Sequence, residues 1–244
     1  MSRGFFITGT DTGVGKTVVT AGLLRGLRHG GVNAVPVKPI QTGCVRQDNA
    51  LLAPDLEFAL RAANLTPEPG ERALMAPYCY EPACSPHLAG RMAEQYPDCE
   101  RIASCIGQLM QRRDAVLVEG AGGIMVPLDE SVTMLDLMQI LGLPVVLVAR
   151  AGLGTINHSL LSTQVLRGAG LDVAGVVFNE EQAPDSDDDF IRSDNPAAVA
   201  RFGEVEVLGT VPHLPGLDDS DATAWQEFER GVPGLPRLLE RLRQ

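Results

Sequence analysis

At 244 residues and 26.0 kDa, with 45% hydrophobic residues, the chain is long enough to bury a full core. No apolar run approaches the roughly 20 residues that span a bilayer, and the net charge of −11 excludes a broad basic face for nucleic acid. Cys44, Cys79, Cys84, Cys99 and Cys105 form no C-x-x-C pair, and the start of the chain is too briefly apolar for a signal peptide, so reduced, inert thiols and a cytoplasmic protein are expected.

The first predicted strand, Gly4–Thr8, runs into Gly9-Thr10-Asp11-Thr12-Gly13-Val14-Gly15-Lys16-Thr17, and a helix over Lys16–His29 follows. A glycine-rich turn between a strand and a helix is the setting of a phosphate-binding P-loop, although five residues rather than four separate Gly9 from Gly15. Backbone N–H groups and the positive end of the helix favour an anion there. Lys16 is expected against the β- and γ-phosphates of a nucleoside triphosphate, with the Thr17 hydroxyl on Mg²⁺.

Partitioning-type ATPases carry a lysine at the first position of a Lys-Gly-Gly-Val-Gly-Lys-Thr pattern; this chain has Asp11 there. A second strand over Asn33–Val37 leads to Lys38-Pro39-Ile40-Gln41-Thr42-Gly43. Of 20 basic residues 18 are arginine, and the two lysines, Lys16 and Lys38, both fall at strand ends on one rim. Two compact ammonium groups beside one triphosphate suit phosphoryl transfer, where negative charge accumulates.

Helices are predicted at Pro54–Ala63, Pro86–Gln95, Arg101–Arg112, Met134–Leu141 and Thr155–Gly170, with strands at Asp114–Glu119, Pro144–Ala149, Val173–Phe178 and Val205–Thr210. Alternation of continuous Val/Ile/Leu strands with helices predicts one α/β domain over residues 1–244. Its doubly wound parallel sheet, of the P-loop NTPase type, carries helices on both faces. The strand that ends in Glu119 and then Gly120-Ala121-Gly122-Gly123 places a carboxylate where a metal-bound triphosphate needs one. The acidic Glu180–Asp194 stretch reads as a solvated loop, and Ala222–Gln244, broken by Pro233 and Pro236, as surface helix. His87 and His158, with no nucleophile motif beside them, read as packing or hydrogen-bonding residues.

The ordered set Gly9–Thr17, Lys38–Gly43, Ser85-Pro86-His87, Val118–Gly123, Gly154–Leu161 and Val176–Asn179 resembles the dethiobiotin synthetase family over about three quarters of the chain. The resemblance implies carboxylation of 7,8-diaminopelargonic acid with CO₂ and ATP. A carbamate forms and attacks the γ-phosphorus, and the neighbouring amine closes the ureido ring on the mixed carbamic–phosphoric anhydride. It assigns catalysis to Lys16 and Lys38, magnesium to Thr17, Asp55 and Glu119, and nucleotide contacts to Thr12–Val18 (with Gly13, Val14 and Gly15), Gly120, Ala121 and Gly122. It also assigns the base pocket to Asn179, Glu180, Pro212, His213 and Leu214. The substrate falls to Lys38 and Thr42, with Gly154, Thr155 and Asn157 of a dimer mate holding its carboxylate. A tyrosine that family members carry near the substrate has no counterpart; Phe190 is the nearest aromatic residue. The rivals are the synthetase part of a cobyrinic-acid-type amidotransferase and a partitioning-type ATPase.

Overall fold

The computed structural model describes residues 4–48, 50–181, 189–217 and 221–243. Six strands form the central sheet: β1 (Gly4–Gly9), β2 (Ala34–Val37), β7 (Ala115–Gly123), β8 (Val145–Arg150), β9 (Val173–Asn179) and β10 (Val207–Val211). Their order is β10-β9-β8-β1-β7-β2, and every neighbouring pair is parallel. The sheet that the sequence predicts is therefore the sheet observed.

Each strand sorts its side chains onto two layers, although its whole run is apolar. In β8, Val145, Leu147 and Ala149 face one side, and Val146 and Val148 face the other. The first side is covered by α5 (Cys99–Met110), α6 (Met134–Leu141), α7 (Thr155–Gly168) and α8 (Asp189–Gly203), the second by α1 (Lys16–His29), α9 (Ala222–Gly231) and α10 (Leu235–Arg243). Period-two alternation between two covered faces leaves neither face for water, which explains the Val-rich strands. At about 1.5–3 kcal/mol per fully buried aliphatic side chain, this double layer dominates the favourable side of folding.

Two expectations need correction. The 180–194 stretch is not one loop, because α8 begins at Asp189; residues 182–188 lie outside the described residues. The C-terminal segment breaks at Pro233, while Pro236 falls in the first turn of α10, and it does not sit on the surface. Trp225, Phe228, Val232 and Leu238 are buried. They reach the core because α1 carries Gly22 and Gly26 one turn apart. A Cβ on Gly22 would lie 2.3 Å from the Phe228 ring, and one on Gly26 would lie 2.2 Å from Leu235. The glycines make a groove that the C-terminal helices fill.

Several smaller elements escaped the sequence reading. Strands β3 (Ile40–Thr42) and β6 (Tyr78–Tyr80) pair in parallel, β4 (Val45–Gln47) and β5 (Ala50–Leu52) form a hairpin, and α3 (Glu71–Met75) is one short helix. Helices α2 (Pro54–Ala62) and α4 (Pro86–Met92) start where predicted. All five cysteines are free; Cys44 and Cys105 are buried, while the other three are half-buried. Among the described residues no helix is long and apolar enough to cross a membrane.

Candidate active site

A parallel sheet brings the carboxyl ends of all its strands to one edge, and the order places β1 between β7 and β8, where successive connections diverge. Residues that follow the strands therefore converge: Lys38 after β2, Glu119 within β7, Arg150 ending β8, Asn179 ending β9 and Pro212 after β10.

The P-loop closes over this edge. Gly15, the residue before α1, adopts φ 88° and ψ 23°, in the left-handed region. A Cβ there would come within 2.1 Å of the Asn179 amide nitrogen, so both conformation and space require glycine. No side chain caps α1 and no acidic residue lies in its first turn. By contrast α5 and α9 are capped by Asp98 and Asp221. The start of α1 thus has no side-chain acceptor of its own for its first N–H groups, a chemistry that suits an anion.

Lys16 folds back so that its ammonium donates to the Asp11 carbonyl at 2.9 Å. Burial, and then the neighbouring Lys38, lower its pKa to about 8. The Asp11 carboxylate is held locally: one oxygen accepts from Thr12 N–H at 2.7 Å, and the other from Arg150 at 3.2 Å. Arg150 thereby ties the loop to the end of β8.

Lys38 is 5% exposed. Its ammonium donates to Glu119 at 2.6 Å and to the Gly120 carbonyl at 3.3 Å, and it pairs with Asp55 at 2.7 Å. Burial works against its charge, but Glu119 and Asp55 outweigh burial and hold its pKa above the ordinary lysine value. Thr17 donates its hydroxyl to the same Glu119 oxygen at 2.9 Å. Asp55 sits in the first turn of α2, where Pro54 starts the helix, and its N–H donates to the Gln41 side-chain carbonyl at 3.3 Å. It is therefore more than a dipole-complementing surface acid: its carboxylate reaches into the site.

Thr12, Gly13, Gly15, Lys16, Thr17, Lys38, Thr42, Asp55, Glu119, Ala121 and Gly122 line a single cleft of about 370 Å³. Of the residues assigned to Thr12–Val18 and Gly120–Gly122, Val14, Val18 and Gly120 do not line it. Val14 buries its side chain in the core below, and Gly120 presents its carbonyl to Lys38 while packing on Phe6. Ile40 and Gln41 do line it and were not singled out, although they lie inside the Lys38–Gly43 motif. A second cleft of about 210 Å³ adjoins through Gly15. Val18, Asn179, Glu180, Pro212, His213 and Leu214 line it, together with Glu181, Val211 and Leu217. Val18 thus belongs beside the base-pocket residues rather than the phosphate cleft.

Gly154, Thr155 and Asn157 line neither cleft. They begin α7, whose N-terminus repeats the grammar of α1: Gly154 at φ 88°, no side-chain cap and no acid in the first turn. Neither Thr155 nor Asn157 acts as an ordinary cap. Thr155 is buried, with its hydroxyl 3.5 Å from that of Ser159 and its N–H on the Gly152 carbonyl at 3.3 Å. Phe190 is exposed on α8. His87 is partly buried, with a ring nitrogen that finds no hydrogen-bond partner, and neither it nor His158 lines a site cleft.

The AAA domain family AAA_26 matches residues 3–221. The chain is 39% identical over 213 residues to the ATP-dependent dethiobiotin synthetase BioD of Anoxybacillus flavithermus, covering 87% of this chain and 92% of that one. It is 33% identical over 248 residues to the enzyme of the same name from Clostridium kluyveri, with both chains covered completely.

The chain belongs to the dethiobiotin synthetase family.

Among solved structures it is similar to the septum site-determining protein MinD of Pyrococcus horikoshii, in complex with Mg-ADP. The TM-score is 0.58 at 18% identity, with 99% and 95% of the two chains covered. Signal recognition particle 54 kDa protein from Aeropyrum pernix gives a TM-score of 0.56 at 16% identity, with 99% of this chain and 49% of that one covered. At such identities these likenesses establish the P-loop NTPase fold alone.

Proposed function

We propose that this member of the dethiobiotin synthetase family works as one domain in the cytoplasm and converts 7,8-diaminopelargonic acid, CO₂ and ATP to dethiobiotin, ADP and phosphate. The single observation that carries the reading is the Lys38 ammonium, buried opposite Lys16 and beside Thr42 in the same cleft. In this reading the triphosphate lies along residues 12–17 with its base in the Asn179–Leu214 cleft. The amide of Asn179 reads the purine edge, and the backbone at Pro212, His213 and Leu214 lines its face.

One substrate amine adds to CO₂ and loses a proton, giving a carbamate. A carbamate oxygen attacks the γ-phosphorus, and the bond to the β,γ-bridging oxygen breaks to release ADP. The second amine then attacks the carbonyl carbon of the mixed anhydride, phosphate leaves, and the ureido ring closes. The chain contributes no covalent partner. Lys16 and Lys38 neutralise the transferring phosphoryl group from two sides, and Thr42 orients the diamine. The Thr17 hydroxyl and the Asp55 and Glu119 carboxylates are hard oxygen donors of the kind Mg²⁺ selects. When bound, magnesium offsets the charge of the β- and γ-phosphates. Both carboxylates already contact Lys38, so a magnesium ion held there would have to share them with the ammonium.

The carboxylate of the substrate is assigned to the uncapped start of α7 at Gly154–Asn157 of a second copy. Supporting this is an apolar surface of about 410 Å³ beside the P-loop, lined by Gly9–Thr12, Gly123–Pro127, Leu161, Ser162 and Val165. Met125 and Leu161 in its lining are exposed, as expected of a face covered by another protomer. Light scattering on the purified chain then gives a dimer; a monomer at micromolar concentration removes the shared site.

The deciding experiment supplies ATP, Mg²⁺, bicarbonate and 7,8-diaminopelargonic acid, each omitted in turn. Dethiobiotin with stoichiometric ADP in the complete mixture alone is the expected result. ATP hydrolysis without a ureido product overturns the assignment.

A further inference from the structure

Helix α8 places an asparagine where a helix interior tolerates it poorly. Asn195 precedes Pro196 in the middle of Asp189–Gly203, and neither residue favours a helix interior. Asn195 is 5% exposed, and its amide donates to two successive carbonyls, Ala151 at 3.0 Å and Gly152 at 3.2 Å. These belong to the turn that leaves β8 after Arg150 and ends at Gly154, the residue before α7. On its other side the turn is held by Ala151 N–H on the Asn179 carbonyl at 3.2 Å. Gly152 also accepts from Thr155 N–H, so one carbonyl joins Asn195 to the first residue of α7. Packing repeats the link, since Ile156 lies against the apolar cluster that contains Val199 of α8.

The orientation of the α7 N-terminus is thus set by a side chain from a helix that lines neither candidate cleft. Without the amide, the Ala151 and Gly152 carbonyls turn to other donors. The Gly152 carbonyl, already on Thr155 N–H, is then free to draw further on the first turn of α7, whose remaining N–H groups an incoming carboxylate needs.

We infer that Asn195 is a positioning residue that fixes the 151–154 turn, keeps the start of α7 open for the distal carboxylate, and so selects carboxylate-bearing diamines. This rests on the reading of Gly154–Asn157 as the carboxylate site. Asn195 touches no reacting atom, and its effect is on substrate choice rather than on phosphoryl transfer.

The test compares 7,8-diaminopelargonic acid with 2,3-diaminooctane, the same vicinal diamine without the carboxylate, in wild-type, Asn195→Ala and Asn195→Leu proteins. Wild type prefers the acid. Both variants lose about tenfold of that preference in kcat/KM, the loss lying in KM for the acid. Turnover of 2,3-diaminooctane and ADP affinity stay within about twofold, because β9 is paired on both edges and Asn179 does not move. Leu keeps the volume without a buried donor, so it carries the test if the Ala variant does not fold. A preference retained in the variants overturns the role of Asn195 alone. A wild type with no preference for the acid overturns the carboxylate site on which it rests.

Discussion

Replacing Lys38 by arginine keeps one positive charge and asks whether its position or its sign matters. The ammonium nitrogen meets Glu119, Asp55 and the Gly120 carbonyl at 2.6, 2.7 and 3.3 Å, three acceptors around a single atom. A tetrahedral ammonium has three protons, one for each acceptor, and can redirect the one on the Gly120 carbonyl, its longest contact, towards an incoming phosphoryl group. A guanidinium spreads its donors over a rigid plane and carries a larger head. The ammonium sits between Asp55 and Glu119, so the larger head cannot keep all three contacts and shifts towards the cleft that Lys38 lines. The expected consequence is the loss of one preorganised donor to the transition state, about 10²–10³-fold in kcat, or about 3–4 kcal/mol. Global stability changes little, since charge balance against the two carboxylates is kept. Lys38→Met is the harsher control: it strands two carboxylates, Glu119 fully buried, and costs about 3–5 kcal/mol of stability. The assay is initial-rate dethiobiotin formation, with a thermal melt confirming that the arginine variant is folded. Turnover within about threefold of wild type would show that charge alone suffices and refute the reasoning.

Glu119→Gln removes an oxygen that receives both Thr17 and Lys38; the magnesium concentration for half-maximal rate is expected to rise about tenfold or more, and an unchanged titration removes Glu119 from the metal site. The pKa of Lys16, lowered to about 8, has a directional consequence for nucleotide binding. The free protein loses that proton as pH rises through about 8, while a bound triphosphate restores it, so affinity weakens above this pH. Calorimetry at pH 8 in buffers of different ionisation enthalpy should find uptake of about half a proton, vanishing near pH 6.5; no uptake at either pH contradicts the shift. Phe228→Ala empties the groove beside Gly22 and is expected to cost about 3–5 kcal/mol in denaturant unfolding. A loss under about 1 kcal/mol would return the C-terminal helices to the surface.

The parallel sheet, its strands within a few residues, and the P-loop were legible because each rests on local chemistry. Continuous apolar runs report burial on both faces, and a glycine-rich turn before Lys16-Thr17 allows few other uses. The scarcity of lysine also singled out Lys38 before any contact was visible. Local pattern could not say that Lys38 spans Asp55 and Glu119, residues 17 and 81 positions further along the chain. That meeting is set by β2 lying beside β7 and α2 returning across their ends.

The failures share one cause. The acidic composition of 180–194 described the average solvent preference of the segment, yet α8 forms from Asp189 because one of its faces packs on α7 and β10. Pro233 marked the break between α9 and α10, while the burial of Phe228 and Leu235 depended on two glycines two hundred residues earlier. Gln41, Arg150 and Asn195 are likewise ordinary polar residues until their partners arrive at Asp55, Asp11 and the 151–152 carbonyls. Sequence by itself determined which backbone segments fold and which residue types can hold a triphosphate, because propensity, periodicity and donor chemistry act over a few neighbours. Tertiary structure alone decided which side chains share one cleft and how each is charged. Distances across strands, and the burial that comes with them, exist only once the sheet is assembled.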